Sequence, residues 1–263
     1  MISNIIAIFR KELQGYFASP LAYIVASIFW LLSGSFFLII LLGENGIIAG
    51  VAARESLGIP TPPVDVAYVL VRSILGVMGS LVLFILPILS MGLYAEERKR
   101  GTLELLATSP ITNWAVAVGK LLGVVAFFIF MLIPLWLYET IAFSVADPPV
   151  DLTVPFVGHL GLILLAAAVL SMGMFVSSLT DNTIIAAILS FALILFLWIL
   201  DLVANSLPGA LGEAIGHLSL LKNYNNLVDG VLDTSSLVLF ASYIVLGIFL
   251  SAQSVDALRF NSK

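Results

Sequence analysis

The sequence has no cysteine and only two histidines, His159 and His217. Without cysteine there is no disulfide framework and no thiolate metal site. Two isolated histidines also leave no His-based metal or catalytic cluster. Charge is scarce: 10% of the 263 residues are Asp, Glu, Lys or Arg, against about 25% in an ordinary soluble domain. Hydrophobic residues make up 61%, where about 45–50% is usual. Together these values exclude a soluble globular enzyme, a disordered chain and a nucleic-acid binder. What remains is an all-α integral membrane protein. At about 20 residues per crossing plus loops, the length allows roughly six or seven helices.

The apolar runs divide the chain. Residues 1–18 carry Ile2, Ile5, Ile6, Phe9 and Leu13 at helical spacing, with Arg10, Lys11, Glu12 and Gln14 largely opposite. This is an amphipathic helix suited to the membrane interface. Ser19-Pro20 breaks it, and proline suits the first turn of a new helix. Residues 21–42 are longer than the roughly 7–15 residues of a signal-peptide core, so they read as a first span. Further spans are expected at 74–94, 121–143, 155–178, 183–203 and 236–255. Residues 43–73 form a loop, with 66–73 as loop or interfacial helix. Residues 95–120 form a charged loop. Residues 204–235 form a polar link in which Leu211, Ile215, Leu218 and Leu221 are spaced for a surface helix.

Six spans put both termini on one side. That side holds Arg10, Lys11, Arg98, Lys99, Arg100, Lys120, Arg259 and Lys263, and the other only Arg54, Arg72 and Lys222. The positive-inside rule therefore places both termini in the cytoplasm of a multi-pass inner (plasma) membrane protein. The acids Glu44, Glu55, Asp65, Asp147, Asp151, Glu213, Asp229 and Asp233 fall outside. Tyr16, Tyr94 and Trp114 mark the inner interface, and Trp136, Tyr138 and Trp198 the outer one.

Little in the spans carries chemistry. No phosphate-binding loop is present: Gly119-Lys120-Leu121 lacks both the upstream glycine and the Ser/Thr. H-E-x-x-H, G-x-S-x-G and mid-span acidic pairs are absent as well. Glu139 and Asp201 are the carboxylates inside apolar segments. Both lie near span ends, where the cost of a charge falls, and interfacial placement is preferred for them. A structural role is preferred for His159. The pairs Gly76/Ser80, Ala167/Ser171 and Gly173/Ser177 have small-xxx-small spacing and read as intrachain packing, with a homodimer seam as the sharper alternative.

The informative segment is Glu96–Ile111, EERKRGTLELLATSPI. It is a charged stretch, a glycine break, a short helix and a Ser-Pro helix start. Leu103, Leu105 and Leu106 cluster on that short helix, which either meets a partner surface or dips into the headgroups.

This pattern, E-E-x-x-x-G-T-L-E-L-L-x-x-x-P-I, resembles the cytoplasmic loop of type-2 ABC exporter permeases. Lys11-Glu12-Leu13 followed by Tyr16-Phe17-Ala18-Ser19-Pro20-Leu21-Ala22-Tyr23 is similar to the start of the GldF-like and NosY-like branch. The resemblance covers nearly the whole chain. It implies six transmembrane helices, an N-terminal elbow helix involving Phe9, Arg10, Lys11, Glu12 and Leu13, and a coupling helix at about Gly101–Thr108 that docks on a separate P-loop ATPase. The ATPase-coupling residues it implies are Glu97, Arg100, Gly101, Thr102, Leu103, Glu104, Leu105, Leu106 and Pro110. Glu97 and Arg100 would fix the loop by charge and Gly101 would permit the break. Leu103, Leu105 and Leu106 would insert into the ATPase, and Glu104 would face its basic groups. This chain would hold no cofactor and do no catalysis; ATP and Mg would sit on the partner ATPase. The assembly implied has two permease copies, as homo- or heterodimer, in membrane lipid, with spans one, two and five lining the path. A GldG-like accessory subunit is a further implied partner for the external loops, and no nucleic acid is involved. Unlike some exporters of this type, the chain has no large extracellular domain.

The reading is thus the permease of an ATP-driven exporter, of gliding-motility or secretion type, or of an ATP-driven force-transmitting device. The alternative is an ion-coupled secondary transporter or channel, which calls for polar groups at the membrane midplane and often an internal repeat. An intramembrane enzyme calls for a catalytic pair inside the bilayer. Neither feature is found in the sequence.

Overall fold

The computed structural model describes the chain except residues 57–64, 104–110, 147–149, 208, 210, 211, 213–215, 262 and 263. Among the described residues the fold is all-helical, and six helices are long and apolar enough to cross a membrane.

In chain order the elements are α1 Ile2–Ala18, α2 Pro20–Leu42, α3 Ile47–Ser56, α4 Val66–Ser90, α5 Gly92–Lys99, α6 Asn113–Ser144, α7 Thr153–Ser178, α8 Thr183–Ser206, α9 Leu220–Val228 and α10 Thr234–Asn261. The spans lie in α2, α4 with α5, α6, α7, α8 and α10. Side-chain caps set many of the starts. Ser19, Asp65, Thr112, Asn182 and Ser219 each accept a hydrogen bond from a first-turn N–H of the helix that follows. A capping oxygen satisfies a donor that has no partner within its own helix.

The long helix α7 forms the centre of the bundle. It packs against α10, α4, α9, α8, α6 and α5, and most of its residues are buried. Helices α2, α8 and α10 bury the smallest share of their residues among the spans, as suits elements that face lipid or other helices. Ser171 and Ser177 on α7 are buried. Ser171 Oγ donates to the Tyr243 carbonyl at 3.2 Å, and Gly173 lies directly against Ser90. These small residues serve packing within the chain. Gly76 has open space beside it.

Three features differ from the sequence reading. Residues 66–73 are helical and continuous with the span, started by the Asp65 cap; within them Arg72 pairs with Asp229 at 2.7 Å. The charged stretch 95–120 is helical at both ends, because α5 reaches Lys99 and α6 begins at Asn113. The polar link contains α9, whose residues Leu220, Asn223, Tyr224, Leu227 and Val228 are buried against α7 and α4. There the Tyr224 hydroxyl donates to the Leu75 carbonyl at 2.5 Å. The expected surface-helix positions Leu211 and Ile215 lie outside the described residues.

Candidate coupling site

Where α4 becomes α5 the helix breaks. Pro87 has no N–H to donate and sits in the last turn of α4. The break leaves the N–H groups at the start of α5 without helical partners. Ser177, from the end of α7, supplies them. Its Oγ accepts from Tyr94 N at 3.1 Å and Ala95 N at 3.0 Å, and donates to the Met91 carbonyl at 2.7 Å. One turn on, the Arg98 guanidinium donates to the Ser178 carbonyl at 3.1 Å. A cation there also complements the negative end of α7. Two side-chain contacts thus bolt α5 to the central helix.

A third attachment is electrostatic. Lys120 of α6 has only 2% of its side chain exposed. Its Nζ lies 2.9 Å from Glu12 Oε1 on α1 and 3.1 Å from Glu97 Oε2 on α5, and 5.1 Å from the centroid of the Tyr94 ring. Lys11 Nζ closes the cluster at 2.7 Å from Glu97 Oε1. Two lysines and two carboxylates balance to zero net charge. That balance is what a buried ion cluster requires, since an uncompensated buried charge costs several kcal/mol. Burial alone would lower the Lys11 pKa, but the Glu97 and Glu12 carboxylates beside it outweigh burial and raise it above the usual lysine range.

Close approach of α1 to α6 makes the cluster possible. A Cβ on Gly119 would sit 2.7 Å from Ile8 Cβ, and one on Gly123 2.7 Å from Glu12 Cβ. Real Cβ atoms do not approach so closely, so glycine at both positions lets the two backbones meet. Aromatic packing extends the contact: Tyr16 stacks on Phe127 at 5.2 Å, and the Tyr16 hydroxyl donates to the Leu89 carbonyl at 2.6 Å. Burial, and then Glu12 and Glu96, push the Tyr16 pKa well up.

The structure brings Glu97, Lys11 and Glu12 together, and leaves Arg10 exposed and Phe9 and Leu13 partly buried. Arg100 pairs with Glu96 at 3.4 Å on the surface rather than with Glu97. Gly101 ends α5 at φ +70°, the left-handed conformation that glycine adopts freely at a helix C-terminus. Thr102 Oγ1 donates to the Glu97 carbonyl at 3.2 Å. Leu103 is buried within this chain at 5% exposure. Its apolar surface is covered within the chain. Glu104, Leu105, Leu106 and Pro110 lie outside the described residues.

Two further expectations change. Tyr94 is fully buried beneath Lys120 and is not an interfacial anchor. Glu12 turns inward to meet Lys120, whereas the amphipathic reading of α1 placed it on the polar face. Lys120 itself was missed as a site residue. The available signal was Gly119-x-x-x-Gly123 flanking a lone lysine.

A family model described as ABC-2 family transporter protein matches residues 55–215, more than half of the chain. The chain belongs to the ABC-2 transporter family. It is a membrane-spanning permease subunit of an ABC transporter, a class that works with an ATP-binding subunit in a dimeric arrangement. No curated protein matches the chain.

Proposed function

We propose that this permease serves an ATP-driven exporter of the type-2 class, and that α5 transmits the motion of a separate ATPase into the bundle. One observation carries the reading: α5 is fastened to α7 through Ser177 and Arg98, and to α1 and α6 through the Glu97–Lys120–Lys11–Glu12 cluster. A force applied to the segment after Lys99 therefore reaches three helices at once. The segment from Gly101 to Thr108, with Leu105 and Leu106, is the docking element. Pro110, just past it, precedes the start of α6. Glu104 faces basic groups on the ATPase. ATP and Mg bind the ATPase, and this chain does no catalysis itself.

The basic end that carries α1 is cytoplasmic, in keeping with the excess of Lys and Arg there. α1 acts as the elbow helix. Two copies assemble around a path lined by α2, α4 and α8, two of which expose much apolar surface. The sequence likeness to GldF-like permeases suggests a gliding-motility or secretion system, with a GldG-like third subunit on the external loops.

The test is extraction from the native membrane in mild detergent, comparing the natural chain with Leu105→Asp/Leu106→Asp. The natural chain should bring an ATPase at matching abundance. The variant should insert normally and lose the ATPase, because charge replaces the apolar contact. Equal recovery of the ATPase with both proteins overturns the docking assignment.

A further inference from the structure

At the end of the bundle opposite α1, a carboxyl and an imidazole face each other in the interior. Glu139 of α6 is 3% exposed and His159 of α7 is 7% exposed. His159 Nδ1 lies 2.8 Å from the Pro155 carbonyl oxygen, one turn back on its own helix. A carbonyl can only accept, so Nδ1 carries the hydrogen; two lone pairs at that distance would repel. In the neutral ring Nε2 is then bare. It lies 3.4 Å from Glu139 Oε2. Nε2 and the other carboxyl oxygen, Oε1, have no hydrogen-bond partner among the described residues. The Trp136 ring stands edge-on to the imidazole at 5.9 Å and closes one side.

The other ionisable groups at this end do not fill the gap. The Tyr224 hydroxyl of α9 donates its hydrogen bond to the Leu75 carbonyl. Arg72 of α4 is committed to Asp229. Asp151, ahead of α7, accepts from Thr153 N, and Glu44, after α2, is exposed. α10 brings only Tyr243, whose hydroxyl donates to the Leu218 carbonyl. Asp201 on α8 is the other carboxylate within an apolar segment, and its side chain lies outside the described residues.

A bare imidazole nitrogen and a bare carboxylate oxygen facing each other in a buried site repel. One proton between them converts that repulsion into a hydrogen bond. We propose that Glu139 and His159 form a proton-binding site that holds one proton between Oε2 and Nε2. The proton moves between a neutral carboxyl–imidazole pair and a carboxylate–imidazolium pair, and the total charge is zero in both. Release of the proton leaves a carboxylate against a lone pair across the contact of α6 and α7. Proton occupancy therefore sets how closely these two helices pack. The site goes beyond the coupling role and does not depend on it.

The chain has only two histidines, which makes a direct test simple. The full-length protein, with ¹⁵N-labelled histidine and His217→Gln to leave one signal, is reconstituted in liposomes and followed by solid-state NMR as pH is raised. The expected spectrum shows His159 with a hydrogen on Nδ1 and a proton-bearing or proton-sharing Nε2 at neutral pH. The Nε2 signal then moves to the bare-nitrogen position on alkalinisation. In Glu139→Gln the amide N–H donates to Nε2, the volume is kept, and that alkaline transition disappears. An Nε2 that is bare at every pH in the natural sequence overturns the proposal without reference to any variant. The same alkaline transition in both proteins overturns it as well.

Discussion

The two buried polar sites of this bundle solve the same problem differently. At the α1 end, Lys120 is enclosed with two carboxylates and a second lysine, and the four charges cancel. At the opposite end, Glu139 and His159 face each other, and neither Glu139 Oε1 nor His159 Nε2 has a hydrogen-bond partner among the described residues. The first site is balanced in charge by side chains alone, with Glu97 Oε2 held by its ion pair to Lys120 rather than by a hydrogen bond, and is suited to act as a fixed joint. The second lacks one hydrogen and is open to control by a proton. A buried cluster with balanced charges is suited to carrying force, and one that is short of a proton is suited to responding.

Breaking the joint should have the largest effect. Lys120→Met leaves Glu12 and Glu97 with only the largely exposed Lys11, and should cost about 3–5 kcal/mol, read as a lowered unfolding midpoint in detergent. Glu139→Gln at neutral pH should change the midpoint far less, because an amide N–H restores the missing donor. Similar losses in both variants would erase the distinction between the sites.

Next in size is the approach of α1 to α6. Gly123→Val pushes side-chain atoms into Glu12, whose Cβ already lies 2.7 Å from where a Cβ would sit at this position. Overpacking of this kind costs up to about 3 kcal/mol. It should also expose Lys120, detectable as faster amine labelling. The third effect belongs to Ser177→Ala, which leaves the Tyr94 and Ala95 N–H groups without their partner and should cost about 1–2 kcal/mol. Hydrogen exchange at those two amides should rise while exchange in the middle of α7 stays slow.

The smallest effect is a pH dependence at the rim of the cluster. The Lys11 pKa is raised in the fold above its ordinary 10.5. Its contribution is therefore complete below the unfolded value and is lost as pH rises through the higher folded value. A stability profile above pH 10 should fall more steeply for the natural chain than for Lys11→Met. Because Lys11 is largely exposed, salt should flatten that difference.

The spans could be read from sequence because each is an apolar run long enough to cross a membrane, a property local to the segment. The amphipathic character of α1 was legible for the same reason. What it faces was not. Periodicity sorts charges on one helix in isolation, so Glu12 fell on the outer face, while its partner Lys120 lies 108 residues away. Glu139 was expected to reach water because it sits near the end of an apolar run. The structure buries it against His159 of the central helix α7. No motif announces a nine-residue helix that packs by way of Leu220, Tyr224, Leu227 and Val228. The Gly119/Gly123 pair was readable in principle, but its meaning depends on α1 lying against that face.

The absence of cysteine opens the most direct test of the coupling account. Spin labels at Arg10→Cys on α1 and Arg100→Cys after α5, both exposed positions, report one distance within a subunit and another between Arg100 sites of two subunits. In the complex purified with its ATPase, ATP binding should change the distance between the two Arg100 sites. The Arg10–Arg100 distance should stay fixed, because the ion cluster moves α1 and α5 as one body. If the Arg10–Arg100 distance changes on ATP binding while the label on α1 stays still, the cluster is not a joint and the account is wrong.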